Sequence, residues 1–376
     1  MKRILHVITD LYAGGCEMML LKLLSATNGK WEQAVVSLGS AATIGPRISE
    51  LGIPVHTMGF RDSRNPLRLL SMIPLVHRIN PHLIVGWMYH GNLAASLAAV
   101  AAPGHAPVFW NIQQSLYDIS SERRPTAALI RLGIPVSRQP AAIIYNTRVG
   151  AQQHEDFGYC GKRRIVIPTG FDYLQFRPDA DARRQVRAEL GLPEDALLVG
   201  LIARYHPMKD HAGFLKAASL VLQSHPEVRF LLSGMRITSN EPVFRDLLRE
   251  YDFKDRVLLL GERKDMPRIT AALDIACSAS AWGEGFSNAV GEAMACGVPC
   301  VVTDVGDSAY LVSDTGMAVP PRQPEAFADA LSQLVSAGSV RRKQLGQAAR
   351  KRIEAEFSLA SVASRYEEIY RTNLGS

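Results

Sequence analysis

Two glutamates bracket a short, mostly apolar run in Glu284-Gly-Phe-Ser-Asn-Ala-Val-Gly-Glu292. Ser287 is placed to cap a helix running to about residue 296, where Gly297 suits a left-handed stop and Pro299 follows. The start of such a helix offers unpaired backbone N–H groups and the positive end of its dipole, which suit a phosphate. Gly283 and Gly285 let a ligand come close to the backbone. Asn288 falls in the first turn, and Glu292 about one turn further on. Two carboxylates beside a phosphate repel it unless they hold something else. Paired hydroxyls of a sugar or a ribose are the groups a carboxylate accepts from. Taken alone, the segment reads equally well as a capped helix with a surface glutamate.

A second group is Gly200-Leu-Ile-Ala-Arg204-Tyr-His-Pro-Met-Lys209. Arg204 and Lys209 stand beyond the carboxyl end of a strand, where a planar fork and a point charge suit a diphosphate. By itself the loop is also two solvated cations. A third is Thr9-Asp-Leu-Tyr-Ala-Gly14-Gly15-Cys-Glu17, where a glycine pair after the first strand can admit a phosphate or sugar. It is not a GxGxxG fingerprint, and the chain has no GxxxxGK[ST] loop.

These residues need elements that aim them at one place. Short β-branched runs at 4–8, 33–37, 55–58, 83–86, 108–111 and 142–145 alternate with helical patterns at 17–25, 67–78, 93–102 and 127–132. The alternation restarts with strands at 197–203, 229–233, 257–260, 275–278 and 300–303. Helical patterns at 211–224, 241–251, 266–272, 287–295 and 325–335 lie between and after them. This predicts an α/β protein with two doubly wound parallel sheets, each covered on both faces. Such sheets bind ligands at the strand carboxyl ends, so a cleft between the two domains is expected. Residues 177–193 read as charged, turn-rich and separating. The expected division is 1–168, 169–358 and a single-stripe helix within 359–376.

The bulk numbers exclude some classes. With 376 residues, 47% apolar and 21% charged, the chain suits two folded domains and not disorder. A net charge of +6 favours an anionic partner without choosing one. No basic helix or aromatic platform marks a nucleic-acid binder. The five cysteines lack CxxC spacing, and Cys296 and Cys300 read as core residues, a reduced, cytosolic pattern. The N-terminus reads as a strand and not a leader, and no run is long enough to span a bilayer. No DxD-type pair stands beside the 204–209 loop, so no metal site is expected.

Together the three segments resemble retaining glycosyltransferases of family 4, which have the two-domain GT-B fold of facing Rossmann-like domains. The run from Glu284 is similar to that family's E-x7-E signature, and Ile167-Pro-Thr-Gly170-Phe-Asp172 to its inter-domain turn, with Thr169 for the usual Asn. The resemblance implies that Arg204 and Lys209 bind the donor diphosphate and Glu284 the donor sugar. Phe286, Ser287 and Asn288 would present backbone, and Glu292 would hold the ribose. Gly14 and Gly15 match the family's first glycine-rich loop. The base would lie near Gly234–Arg236 and Gly261–Arg263, with Gly234 and Arg263 assigned to it. The donor is a nucleotide diphosphate sugar, with UDP favoured over GDP, and no prosthetic group is implied. The first domain would take a glycan or lipid-linked acceptor, and the last helix would return to it. Many members carry a histidine after the fifth strand; here Gln114 is the positional match, and His90, ending the preceding strand, is the alternative. Basic residues at 61, 64, 68, 123, 124, 131 and 138, interleaved with apolar ones, suit an anionic acceptor or the inner membrane surface. The absent histidine leaves a second reading open, a nucleotide-sugar-binding scaffold whose catalysis has decayed. An epimerase or phosphorylase on the same architecture is a third.

Overall fold

The structure is a computed structural model that describes residues 1–60 and 71–375, with Ser121 by its backbone alone. The helical pattern expected at 67–78 therefore lies partly outside the described residues. Two compact units form: residues 1–170 with 359–376, and residues 171–358.

The first unit is built on seven strands: β1 (Arg3–Ile8), β2 (Glu32–Ser37), β3 (Val55–Thr57), β4 (Leu83–Trp87), β5 (Val108–Ile112), β6 (Ala142–Tyr145) and β7 (Arg164–Val166). Their order is β3-β2-β1-β4-β5-β6-β7, and every pair is parallel. Helices α1 (Gly15–Ala26), α2 (Ile44–Glu50), α3 (Met72–Ile79), α4 (Met88–Ala101), α5 (Arg124–Val136) and α6 (Arg148–Asp156) cover the faces. All five residues of β4 and of β5 are buried, as helices on both faces of a parallel sheet require. The C-terminal helix, Leu359–Leu374, belongs to this unit. It buries Val362, Tyr366 and Tyr370, with Trp87 stacked 6.5 Å from Tyr366. Asn111 Nδ2 donates to the Tyr366 hydroxyl at 2.8 Å, so this aromatic face also carries a polar latch.

The second unit has six strands: β8 (Leu198–Ile202), β9 (Arg229–Ser233), β10 (Val257–Leu259), β11 (Ile275–Ser278), β12 (Cys300–Thr303) and β13 (Met317–Val319). They are ordered β10-β9-β8-β11-β12-β13, again all parallel. Its helices are α7 (Ala180–Glu189), α8 (His211–Ser224), α9 (Pro242–Glu250), α10 (Met266–Ala271), α11 (Asn288–Ala295), α12 (Ser308–Val312), α13 (Pro324–Ser336) and α14 (Gly338–Glu356). The order reverses between β8 and β11, where a crevice opens in such a sheet.

Three elements differ from expectation. Residues 177–193 are not a turn-rich separator but contain α7, capped by Asp179. Its Arg187 is 1% exposed and is held by Asp274 Oδ2 at 2.7 Å and by carbonyls of Glu194 and Ala272. An arginine buried this way looks like surface charge in the sequence. The edge strands β7 and β13, three residues each, were not expected. His90 does not end a strand, because β4 stops at Trp87 and α4 begins at Met88.

Burial also sets the acid limit of the fold. His154 is fully buried; its Nδ1–H donates to Gly150 O at 2.7 Å, and its Nε2 accepts from the Tyr89 hydroxyl at 2.9 Å. Desolvation lowers its pKa from 6.5 to about 4, against the smaller opposing effect of the Gly150 bond. The folded chain keeps this ring neutral while the unfolded chain protonates it, so stability is full above pH 6.5 and falls as pH drops towards 4. Urea unfolding should show a loss of about 1.4 kcal/mol per pH unit from this residue in that window. A His154→Gln chain should have a visibly shallower slope.

Candidate donor-binding site at the β8–β11 switch

Strand β8 runs into residues 203–209, and β11 into 279–287. Because the strands are paired and parallel, both loops leave the same sheet edge side by side. Ala281 N–H donates to Met208 O at 2.8 Å and joins them. Between them lies a cavity of about 290 Å³ lined by Arg204, Lys209, Ser280, Glu284, Phe286, Ser287, Asn288 and Glu292.

The cations and carboxylates here are not left to solvent. Lys209 Nζ meets Glu284 Oε2 at 2.5 Å, with Glu284 8% exposed. Ser280 Oγ donates to the same oxygen at 2.7 Å. Arg204 is exposed at the mouth. The pKa of His206 is lowered by burial and then by the charges of Arg204 and Lys209, which marks the loop as electropositive.

Helix α11 begins at Asn288 with Ser287 at the cap position. The Ser287 side chain accepts no capping bond, contrary to its expected role, so the first-turn N–H groups receive nothing from it. At the other end the helix closes as a Schellman motif: Val298 N–H donates to Ala293 O at 3.0 Å and Gly297 N–H to Met294 O at 2.9 Å, with Gly297 at φ +73°. Arg350 adds its guanidinium to Ala295 O at 2.5 Å. The Phe286 side chain turns inward, its ring 6.0 Å from that of Phe171 and 5.3 Å from that of Phe357. A Cβ on Gly291 would fall 2.1 Å from the Phe171 ring, so this glycine admits the ring against the helix.

Other expected residues lie elsewhere. Gly234 follows β9 with φ +152°, and a Cβ there would meet Ala203 O at 2.2 Å; it lets the two strand ends close up but does not line the cavity. Arg263 also lies off the cavity lining, and its fork is taken by Asp265, at 2.8 and 2.7 Å. That bond, more than any other influence, lowers the pKa of Asp265 to about 2.

In the first unit, β1 and β4 form the corresponding reversal, with Gly14 and Gly15 after β1 and His90 in the first turn of α4. A Cβ on Gly14 would lie 2.5 Å from Glu17 Oε2. Its space is filled by a carboxylate whose pKa burial raises. A sugar hydroxyl suits that position; a phosphate, which the sequence also allowed, would be repelled. After β5, Gln114 Nε2 donates to Glu122 Oε1 at 2.6 Å. On α5, Arg124 and Arg131 are exposed, as is Arg138 just beyond it, while Ala127, Ile130 and Gly133 are buried. Arg61, Arg64 and Arg68 lie outside the described residues. All five cysteines are free thiols. Among the described residues no helix is long and apolar enough to cross a membrane, and no three His, Cys, Asp or Glu side chains group to hold a metal ion.

The fold is GT-B. A HepE structure from Anabaena in complex with UDP superposes with TM-score 0.86 over 99% of this chain and 100% of that one, at 19% identity. Residues 196–337 match the family described as glycosyl transferases group 1. An Escherichia coli UDP-Gal:alpha-D-GlcNAc-diphosphoundecaprenol alpha-1,3-galactosyltransferase is 26% identical over 252 residues, 64% of this chain. That alignment spans only 62% of the E. coli enzyme. A Bacillus subtilis putative glycosyltransferase, EpsF, is 24% identical across 96% of this chain and 97% of its own length. The chain is thus similar to glycosyltransferases over much of its second unit, and to the GT-B fold over nearly its whole length.

Sequence reasoning missed Gly306. Its φ is +62°, and a Cβ would lie 2.3 Å from Glu284 O and 2.5 Å from Gly285 O. The loop after β12 thus presses on the loop that carries Glu284. Gly29 has a similar φ, +78°, with nothing nearby. Gly29→Ala should cost only backbone strain, about 1 kcal/mol, whereas Gly306→Ala should cost about 3 kcal/mol by adding overpacking. Chemical denaturation of the two variants checks the difference.

Proposed function

We propose that this chain is a retaining glycosyltransferase that moves a sugar from a nucleotide diphosphate sugar, with UDP favoured over GDP, to an acceptor hydroxyl. The observation that carries the proposal is the cavity at the β8–β11 switch. It gathers two cations, a helix start and two carboxylates. Arg204, Lys209 and the first turn of α11 suit the diphosphate, Glu284 the sugar hydroxyls and Glu292 the ribose. Support for a uridine nucleotide comes from the similar structures, solved with UDP and with UDP-glucose.

In this reaction the bond from the anomeric carbon to the phosphate oxygen breaks. The acceptor oxygen bonds to that carbon on the same face, and the acceptor proton passes to the departing phosphate oxygen. Placed positive charge stabilises the leaving diphosphate, which is usually the largest catalytic contribution. Arg204 and Lys209 supply it, so we propose that turnover needs no divalent metal. We assign residues 1–168 with the last helix to the acceptor and 169–358 to the donor. The acceptor is a glycan or lipid-linked glycan of cell-surface polysaccharide synthesis; the E. coli relative's name gives that enzyme a lipid-linked acceptor, alpha-D-GlcNAc-diphosphoundecaprenol. The exposed arginines of α5 suit peripheral contact with anionic lipid at the cytoplasmic membrane face. His90 is the proposed side chain nearest the reacting carbon. The hydrogen bond between Gln114 and Glu122, where family members often carry a histidine, favours the second reading of a non-catalytic nucleotide-sugar binder.

A thermal-shift screen of nucleotide diphosphates and their sugars tests donor binding, since a ligand of the native state raises its melting temperature. Turnover of the ligand found, over a panel of lipid-linked glycans, should drop about a hundredfold or more in Lys209→Ala and in Glu292→Ala. Donor binding with no transfer to any acceptor would favour the second reading. Activity should survive EDTA, and an absolute need for Mg2+ or Mn2+ would refute metal independence.

A further inference from the structure

We infer that Ser280 is the positioning residue for Glu284 and makes the site favour an intact nucleotide sugar over the bare nucleotide diphosphate, an inference that rests on the donor reading above. Lys209 has two claims on it. It donates to Glu284 Oε2 at 2.5 Å, and it faces the cavity proposed for the diphosphate. A dianionic diphosphate draws the ammonium towards itself and weakens its hold on the carboxylate. Ser280 lines the same cavity but carries no charge for the diphosphate to draw. It is neutral and 1% exposed, and its hydroxyl donates to the same Oε2 at 2.7 Å.

Ser280 is itself pinned. Thr303, at the end of β12, donates its Oγ1 proton to Ser280 O at 2.6 Å. On the next residue, Ala281 N–H is tied to Met208 O at 2.8 Å. The hydroxyl therefore stays put while Lys209 shifts, and it keeps the Glu284 carboxylate turned as the sugar needs it. Hydrogen bonds to charged acceptors are the stronger kind. Removing the hydroxyl should act on the part of the ligand that Glu284 holds and not on the diphosphate.

Titration calorimetry of four chains tests this: wild type, Ser280→Ala, Glu284→Gln and the double variant, each with UDP, UDP-glucose, GDP and GDP-mannose. The alanine change should weaken the favoured sugar nucleotide roughly tenfold or more and leave its nucleotide diphosphate within about twofold. In the Glu284→Gln background the same change should add less than about twofold, because it acts through Glu284. Equal weakening of both ligands, no weakening of either, or an undiminished effect in the Glu284→Gln background would overturn the inference. Wild type binding none of the four would overturn the donor reading, and this one with it. If Ser280→Ala fails to fold, Ser280→Cys, close in size and a much weaker donor, carries the same comparison.

Discussion

Parallel pairing of β8 with β11 sends their exit loops out of the same edge of the sheet, far apart in sequence and adjacent in space. The site depends on that geometry. It brings Lys209 onto Glu284, lines up Arg204 with the start of α11, and zips the loops through Met208 and Ala281. Had β11 paired elsewhere, the same residues would be scattered surface charge. The pairing is held from beneath by Asp274, which accepts from Leu198 N–H at 2.8 Å and receives Arg183 and Arg187. A half-buried charge cluster below the strands thereby registers the polar cluster above them.

Glycines serve close approach at several points around this frame. Gly234 lets the β9 exit turn abut Ala203, Gly306 lets the β12 exit loop press on Glu284, and Gly291 gives Phe171 a place against α11. In each case a backbone or ring occupies the volume a side chain would need. Helix α11 is held at its far end by the Schellman turn and Arg350, and along its flank by the Phe171–Phe286–Phe357 cluster. That leaves its amino end facing the cavity without help from Ser287.

Opposite charges packed at 2.5 Å also explain why a cavity rich in ionic side chains is stable. Lys209 and Glu284 are each mostly buried, and a buried ion without a partner is costly. Each offsets the other, while Ser280 adds a hydrogen bond from a neutral group. In the first unit Glu17 over Gly14 shows a different balance, where burial raises the pKa of the carboxylate and the neighbouring Asp10 charge adds to the shift.

Periodicity in the sequence determined the fold class, most strand positions and the segments that carry the site. Runs such as 142–145, 229–233, 275–278 and 300–303 are apolar enough to be buried on both faces, and few local structures satisfy that. Glu284, Glu292, Arg204 and Lys209 stood out only as a set, because each segment taken alone reads as surface charge, whereas together they offer cations, carboxylates and a helix start. Other features had no local signature. Arg187 looks like surface until Asp274, 87 positions away, is folded against it. Ser280 is an unremarkable serine until Thr303, 23 positions on, donates to its carbonyl. Gly306 is an ordinary loop glycine until the Glu284 carbonyl lies against it. Which polar group satisfies which is decided by contacts distant in sequence, and only the folded chain makes them.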